Sequence, residues 1–505
     1  MAGLKDGDDF KDGESFKNPL ILKGVFGLVG FGGLALFVAL NFLLPEKRGE
    51  MSYSWLFALV FFLSLGVGGV FWTLLHHATN SGWGTVIRRL MENLGSVIPF
   101  MLLLAVPFLI PNGYQDDLWE WFPKREAALE KAEVAAEKGV SQYVTEKQAE
   151  IAGAEAAVAS AEAELAAIES PSAGHRAHFD RKIESLKTKL AKLQEQDLSE
   201  AAVHETLVDK NFKKEEALLH VKKGYLNEGF WYVRFFFYLI VLSGIALALR
   251  HWSIKLDKSG DPGLFLWMRR ASCGFLPFFA TAWTFLVFDW LMALDYTWFS
   301  TMWGVYLFAG AALNSMGLLV IIVTLLRHFG YLKNIVTLEH YHLMGKLMLA
   351  FVIFWAYIAF SQFFLIWYAN ITEETKFYLT RNTEFWNLYT ITLLVVGHFF
   401  VPFAILLLQK VKKLPLVLSG VAVWNLVMHV FDIYWIIIPE RGPSLTAAGP
   451  AKDMLMVMPG AWLFDVLAFV SVAGIFGFCL LWRLGSASLF PCRDPRLDES
   501  LNVVN

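Results

Sequence analysis

The chain has 505 residues, of which 56% are hydrophobic, 15% aromatic and only 18% charged. A soluble domain of this length carries more charge, so composition places the chain in the membrane class. A net charge of −3 excludes a broadly basic nucleic-acid surface, and Cys273, Cys479 and Cys492, far apart and without Cys-x-x-Cys spacing, exclude a cysteine-held iron–sulfur cluster and a c-type haem.

In chain order, residues 1–19 are largely charged and polar. That is unlike a cleaved signal peptide and reads as a tail ahead of an uncleaved anchor. A helix needs about twenty apolar residues to cross roughly 30 Å of hydrocarbon. Ten runs qualify: Leu20–Leu44, Trp55–His76, Leu94–Ile110, Gly229–Arg250, Cys273–Leu294, Thr301–Leu326, Leu343–Tyr368, Phe385–Leu408, Leu414–Ile438 and Pro459–Trp482. Backbone groups in lipid must be satisfied internally, which predicts an all-α integral membrane fold. The third run is the shortest and holds Pro99 and Pro107, which predicts a tilt or kink. The layout is a tail over 1–19, spans 1–3 over 20–111, an insertion over 112–228, spans 4–10 over 229–482 and a tail over 483–505.

An even number of spans puts both termini on one side. Short loops there hold Lys5, Lys11, Lys17, Arg88, Arg89, Lys255, Lys258, Arg269, Arg270, Arg327, Lys333, Lys410, Lys412 and Lys413. The opposite side holds only Lys47, Arg48, Lys376, Arg381, Arg441 and Lys452. This asymmetry predicts cytoplasmic termini and an insertion on the outer side.

The insertion is rich in Ala, Glu and Lys. Ile151, Ala154, Val158, Ala161, Leu165 and Ile168 recur at 3,4 spacing, Pro171–Gly174 break the pattern, and Ile183, Leu186, Leu190 and Leu193 resume it. This predicts an antiparallel, coiled-coil-like helical hairpin. Each arm of about 45 residues would reach on the order of 65 Å. A solvated stalk and a docking arm for a partner subunit both fit; catalysis there does not.

Ionisable groups at membrane depth are costly and face a bundle interior or water. Asp289 lies near the outer end of span 5, with Asp295 just beyond, and His398 near the middle of span 8. His429 and Asp432 lie in the outer half of span 9, and Asp465 in that of span 10. The i,i+3 spacing of His429 and Asp432 puts them on one helix face, and a carboxylate beside an imidazole makes a group that titrates near neutral pH. On the inner side His76 and His77 end span 2, while Glu339, His340, His342 and Lys346 open span 7. Each has a plainer reading. A lone membrane His or Asp bonds a neighbouring helix, His76 and His77 snorkel, Glu339 to Lys346 pair at the surface, and Glu373 and Glu374 are exterior loop charges. No third metal ligand lies near His429 and Asp432. Haem pairings of His76 or His77 with His429 fail on depth. What remains is a proton relay, or a site for a lipid-soluble substrate.

The stretch FWAYIAFSQFFLIWYANITEET, Phe354–Thr375, sets Ser361 and Gln362 inside an aromatic span and ends in an amide and two acids. It resembles the membrane subunits of alternative complex III, a bacterial quinol:electron-acceptor oxidoreductase, within the NrfD-like (polysulfide reductase membrane subunit) family. VFFLSLGVGGVFWTLLHHATNSGW, Val60–Trp83, and FDWLMALDYTWFSTMWGVY, Phe288–Tyr306, resemble the same family. The likeness extends over all ten spans and not over the hairpin. It is greatest to the second, smaller, quinone-binding-type subunit. It implies spans 2–5 and 6–9 as two four-helix bundles with spans 1 and 10 peripheral, in a bacterial inner membrane with the hairpin periplasmic. It also implies partners: a homologous NrfD-like subunit, an iron–sulfur/molybdopterin-like subunit and c-type haem subunits. It carries a proton-path role onto Asp289, His398, His429 and Asp432, with Glu339 and His342 as the cytoplasmic entry.

Chemistry accords with that division. Quinol oxidation yields two electrons and two protons; the electrons need metal centres on partners, and the protons need titratable side chains. The chain is therefore not expected to be catalytic alone. A bound menaquinone or ubiquinone, held without covalent link or metal, needs aromatic walls and one or two polar groups. Ser361, Gln362 and Trp355 meet that need, as does the alternative that Ser361 and Gln362 knit span 7 to its neighbours. Two further readings remain: a secondary transporter, although no Gly/Pro-broken helix pair recurs in equivalent halves, and a non-catalytic scaffold for the homologous subunit.

Overall fold

The structure, a computed structural model, describes residues 15–17, 20–168, 172–441 and 461–504. Lys5, Lys11, Pro171, Lys452 and the expected start of span 10 at Pro459 lie outside them. The described residues are helical, with no strand. They divide into a membrane unit, residues 1–120 with 229–505, and a second unit, residues 121–228.

Ten helices of the membrane unit are long and apolar enough to cross a bilayer: Leu20–Leu43, Pro45–Ala78, Thr85–Leu109, Glu228–Ser259, Pro262–Asp295, Trp303–His328, Leu338–Ala369, Glu384–Leu407, Pro415–Glu440 and Ala461–Leu484. These are spans 1 to 10 below. Most extend beyond the apolar run because polar ends continue the helix into the interface. Span 3 begins at Thr85, nine residues before its apolar run. Thr85–Gly95 carries Arg88, Arg89 and Glu92, which hydropathy rejects but ion pairing accommodates: Arg89 Nε lies 3.0 Å from Glu92. The expected kink is present. Span 3 runs as Thr85–Gly95, Ile98–Leu103 and a 3₁₀ turn Val106–Leu109, with a proline in the first turn of the second and third pieces. There a missing N–H costs nothing.

Span 2 is the most enclosed helix and packs on spans 3, 5, 6, 9 and 10. Span 6 packs on spans 2, 5, 7 and 9. Span 1 lies chiefly along span 10. Gly30 and Gly474 meet there backbone to backbone, and a Cβ on Gly30 would come within 2.6 Å of the Gly474 carbonyl carbon. Span 8 departs from α geometry. It is π-helical over Thr390–Phe400, far longer than the single-turn π bulges usually seen.

Both described termini lie at one end of the bundle, called here the terminus end. The Lys17 amide donates to the Tyr331 hydroxyl at 3.3 Å, and Ser500 Oγ donates to the Trp83 carbonyl at 2.6 Å. Asp494 pairs with buried Arg88. The 485–504 segment is thus folded onto the ends of spans 2 and 3.

In the second unit, Trp121–Ala166 is one helix of 46 residues, and the return arm packs against it. That arm is not the continuous helix the spacing predicts. It is Ala173–Gln194, Glu200–Glu215 and Ala217–Val221. Ser199 explains the break, since its side chain caps the second piece by accepting from the Ala202 amide. Val158, Ala161 and Leu193 of the predicted seam are buried, while Ile168 is exposed. A second cluster, Ala136, Val203 and Leu207 with Val140, Tyr143 and Val144, lies further along the arms. Outside these seams the arms are joined by exposed pairs such as Lys187–Glu162 at 2.6 Å.

Candidate functional site

Asp432, in span 9, is 1% exposed and sits where spans 6, 7 and 9 meet. Tyr306 of span 6 donates its hydroxyl to Asp432 Oδ1, and Trp355 of span 7 donates Nε1 to Oδ2 at 3.1 Å. Each oxygen of the Asp432 side chain thus accepts from a ring donor on a different span. One turn back along span 9, His429 Nδ1 lies 3.8 Å from Oδ2, and Nε2 contacts Ser64 Oγ of span 2 at 3.0 Å. Ser64 Oγ itself donates to the Phe61 carbonyl at 2.7 Å. It therefore accepts from His429, which puts a proton on Nε2 and leaves Nδ1 facing the carboxylate.

His398 joins this group from span 8. It is fully buried, its ring centre 4.0 Å from that of Trp355 and 6.4 Å from that of His429. Neither of its ring nitrogens has a hydrogen-bond partner in the protein. The structure thus brings His398, His429, Asp432 and Trp355 together.

A cavity of about 800 Å3 adjoins the group. Tyr306 and Trp355 form its inner wall, so the rings bonded to Asp432 are also cavity surface. Spans 7 and 8 supply aromatic sides that include Phe363 and Phe399, and Tyr378 and Arg381 of the 370–382 segment line it as well. Several lining residues, among them Phe360, Trp367 and Val395, are also exposed on the apolar exterior. Polar groups are few. Gln362 lines the cavity, and its Oε1 accepts from Ser300 Oγ at 2.7 Å. Ser361, next to it, does not line the cavity.

Arg381, which sequence reasoning did not single out, also lines the cavity. Its guanidinium donates to Glu440 at 2.9 Å and to the carbonyls of Trp435 (3.0 Å), Ile436 (2.7 Å) and Phe377 (2.7 Å). It also lies over the Phe377 ring. Burial pulls its pKa below the ordinary value, and Glu440 opposes that shift. Tyr378, another lining residue, has its hydroxyl pKa raised by burial.

The other expected residues stand apart. Asp289 is bound by Arg234 of span 4 at 2.7 and 3.0 Å and by Tyr238 at 2.5 Å, a buried cluster away from Asp432. Glu339 and His342 lie at the terminus end, 3.6 Å apart, with Glu339 also bound to Lys413 at 2.5 Å. Asp465 is bound by Arg441 and by Ser54 at 2.6 Å. His76 and His77 do not snorkel. They are buried beneath the 81–84 turn, with His76 Nδ1 bonded to the Trp72 carbonyl at 2.8 Å. The reason is that the 485–504 segment and span 3 cover the end of span 2. Among the described residues, no three His, Cys, Asp or Glu side chains gather into a metal-binding set.

Tyr306 was missed because a tyrosine early in an aromatic span carries no periodic signal. Its partner lies 126 positions away. No protein family and no curated protein matches this chain in sequence.

Proposed function

We propose that the chain is a membrane subunit of a quinol-oxidising respiratory complex of the alternative complex III type, and that the cavity takes the headgroup of a menaquinone or ubiquinone. Asp432, His429 and His398 then pass the protons, while iron–sulfur and haem subunits take the electrons. The observation that carries this reading is the shared wall. Tyr306 and Trp355 face a largely apolar cavity of about 800 Å3 on one side and bind a buried carboxylate on the other. A ligand there rests one ring away from a proton acceptor. The aromatic sides and exposed apolar rim suit a ring with an isoprenoid tail arriving from lipid, and Gln362 offers its amide to a ring oxygen.

The sequence resemblance supports the same reading. With it come spans 2–5 and 6–9 as two four-helix bundles, cytoplasmic termini, a periplasmic hairpin and a homologous membrane subunit as neighbour. Span 2 packs on spans 3 and 5 and span 6 on spans 7 and 9, but span 2 also packs on spans 6 and 9 and span 6 on span 5, so packing does not by itself mark off the two bundles. The excess of Lys and Arg at the terminus end accords with the orientation. Glu339 and His342 serve there as surface groups. Asp289, bound by Arg234, is the least mobile member of the proposed path.

The test is binding of a quinone analogue to the purified complex. Ala359 lines the cavity one helical turn along span 7 from Trp355. Ala359→Trp fills the space and is expected to weaken binding at least tenfold, with subunit content unchanged. Unaltered binding would move the quinone to a sister subunit and leave this chain as scaffold. Solute uptake by the chain without partners would favour the transporter reading.

A further inference from the structure

Spans 6 and 9 pack antiparallel, and two contacts fix their register. A Cβ on Gly310 would lie 3.0 Å from His429 Cε1, and one on Gly317 would lie 3.5 Å from Ala422 Cβ. Asn314 stands four residues beyond Gly310, and Asn425 four residues before His429. The register therefore sets Asn314 opposite Asn425, one turn from His429 toward the terminus end. Both asparagines are fully buried.

Four polar atoms at this seam have no partner in the protein: Nδ2 and Oδ1 of Asn425, Oδ1 of Asn314 and Nδ1 of His429. The Asn314 amide nitrogen is committed to the Gly310 carbonyl at 2.9 Å. Leaving buried donors and acceptors unmet costs on the order of 1–3 kcal/mol each, and a buried water makes two to four hydrogen bonds to such groups. At the asparagines themselves, the two N–H groups of Asn425 Nδ2 and the two amide oxygens, within one helical turn, match that valence.

We propose that Asn314 and Asn425 hold bound water that extends the hydrogen-bonded line from Asp432 and His429 toward the terminus end, and that protons exchange with this pair by that route rather than through Glu339 and His342. This rests on the proton role proposed above. The line has a continuation. Gly317 and Ala422 keep the seam thin, and about 9 Å beyond Asn425 along span 9 Ser419 donates to Thr324 at 2.8 Å, which contacts the Tyr341 hydroxyl at 3.0 Å. Glu339 and His342 are instead tied to each other and to Lys413 at the bundle end. The titratable and charged groups around the seam are Asp432 and His429 on span 9, Tyr306 on span 6, His398 on span 8 and Tyr341 on span 7. Arg327 lies over the Tyr341 ring, and span 2 brings Ser64 to His429 and Trp72, whose Nε1 donates to the Ala312 carbonyl at 3.0 Å.

The test uses the whole complex in oriented liposomes, with an impermeant pH jump on one face at a time. Infrared difference spectra follow the Asp432 carboxyl, identified by its loss in Asp432→Asn. After a jump on the terminus face, Asn314→Leu and Asn425→Leu are each expected to slow the carboxyl response at least tenfold. Asn425→Ser, which keeps a polar group and room for water, and Glu339→Gln should respond as wild type. Unchanged rates in both leucine variants would overturn the inference, as would slowing by Glu339→Gln alone. A carboxyl that answers neither face would overturn the proton role itself, whereas loss of quinone binding with an intact carboxyl response would overturn only the quinone site.

Discussion

Asp432→Asn separates proton handling from shape. The amide keeps the volume of the carboxyl but has one acceptor oxygen. Trp355 Nε1 can only donate, so the amide oxygen turns to it, and the amide nitrogen faces Tyr306, whose hydroxyl can accept. Both hydrogen bonds survive in form and lose their charge. A charge-assisted bond contributes roughly 1.5–3 kcal/mol against roughly 0.5–1.5 for a neutral one. The loss is therefore about 1 kcal/mol per bond, or about 2 kcal/mol in all, too little to prevent folding or assembly. An amide cannot take up a proton, so the substitution removes the carboxyl from the proposed path. In liposomes containing the purified complex, quinol-driven electron transfer should persist while protons released per electron fall. An unchanged proton yield at full turnover would refute the role of Asp432. Loss of both activities with normal subunit content would instead make Asp432 part of quinol binding.

Three further outcomes are expected. Arg381→Gln strands Glu440 and three carbonyls beside the cavity; loss of one partner of a buried pair costs about 3–5 kcal/mol, which thermal unfolding in detergent would register as a lower midpoint. Gly30→Ala forces a methyl against the Gly474–Ile475 backbone; overpacking of this kind costs about 1–3 kcal/mol, and cross-linking of Phe31→Cys to Phe478→Cys, whose rings now lie 5.6 Å apart, should fall. In the hairpin unit, Lys223 and then His220 hold the Asp209 carboxyl below its ordinary value of 3.8. Because the folded value is the lower one, this stabilisation is present above the ordinary value and lost as pH falls through the depressed one. The groups are exposed, so the effect is about a few tenths of a kcal/mol; protection of amides over 200–221, taken relative to the intrinsic exchange rate at each pH, should fall on acidification in wild type and fall less in Asp209→Asn.

The spans were legible because lipid leaves a chain few options: twenty apolar residues in a row can only be a helix. The shared face of His429 and Asp432 was legible for a similar reason, since three residues along a helix is a local distance. Neither argument reaches across helices. That Tyr306 closes on Asp432, or that Asn314 stands opposite Asn425, depends on an antiparallel register of spans 6 and 9 fixed at Gly310 and Gly317, whose meaning appears only when the partner helix is in place. Arg381 looked like a loop cation on the sparsely basic side, and only tertiary contact with the last turn of span 9 makes it a buried brace. The π geometry of span 8 had no sequence sign. The broken return arm did: Ser199 followed by Glu200 is an ordinary helix start, hidden because the 3,4 spacing drew attention away from it.

The seam of Gly30 and Gly474 ties the first span to the last. During synthesis at about 5–20 residues per second, the ribosome needs some tens of seconds to make the chain that separates them. Span 1 therefore enters the bilayer long before its neighbour exists, with most of its surface in lipid or against the insertion machinery. Its glycines are an address kept for a late arrival. The bundle can be closed only by the tenth span, so an intermediate truncated at span 9 would leave span 1 unclaimed, and closure of that seam marks a completed subunit.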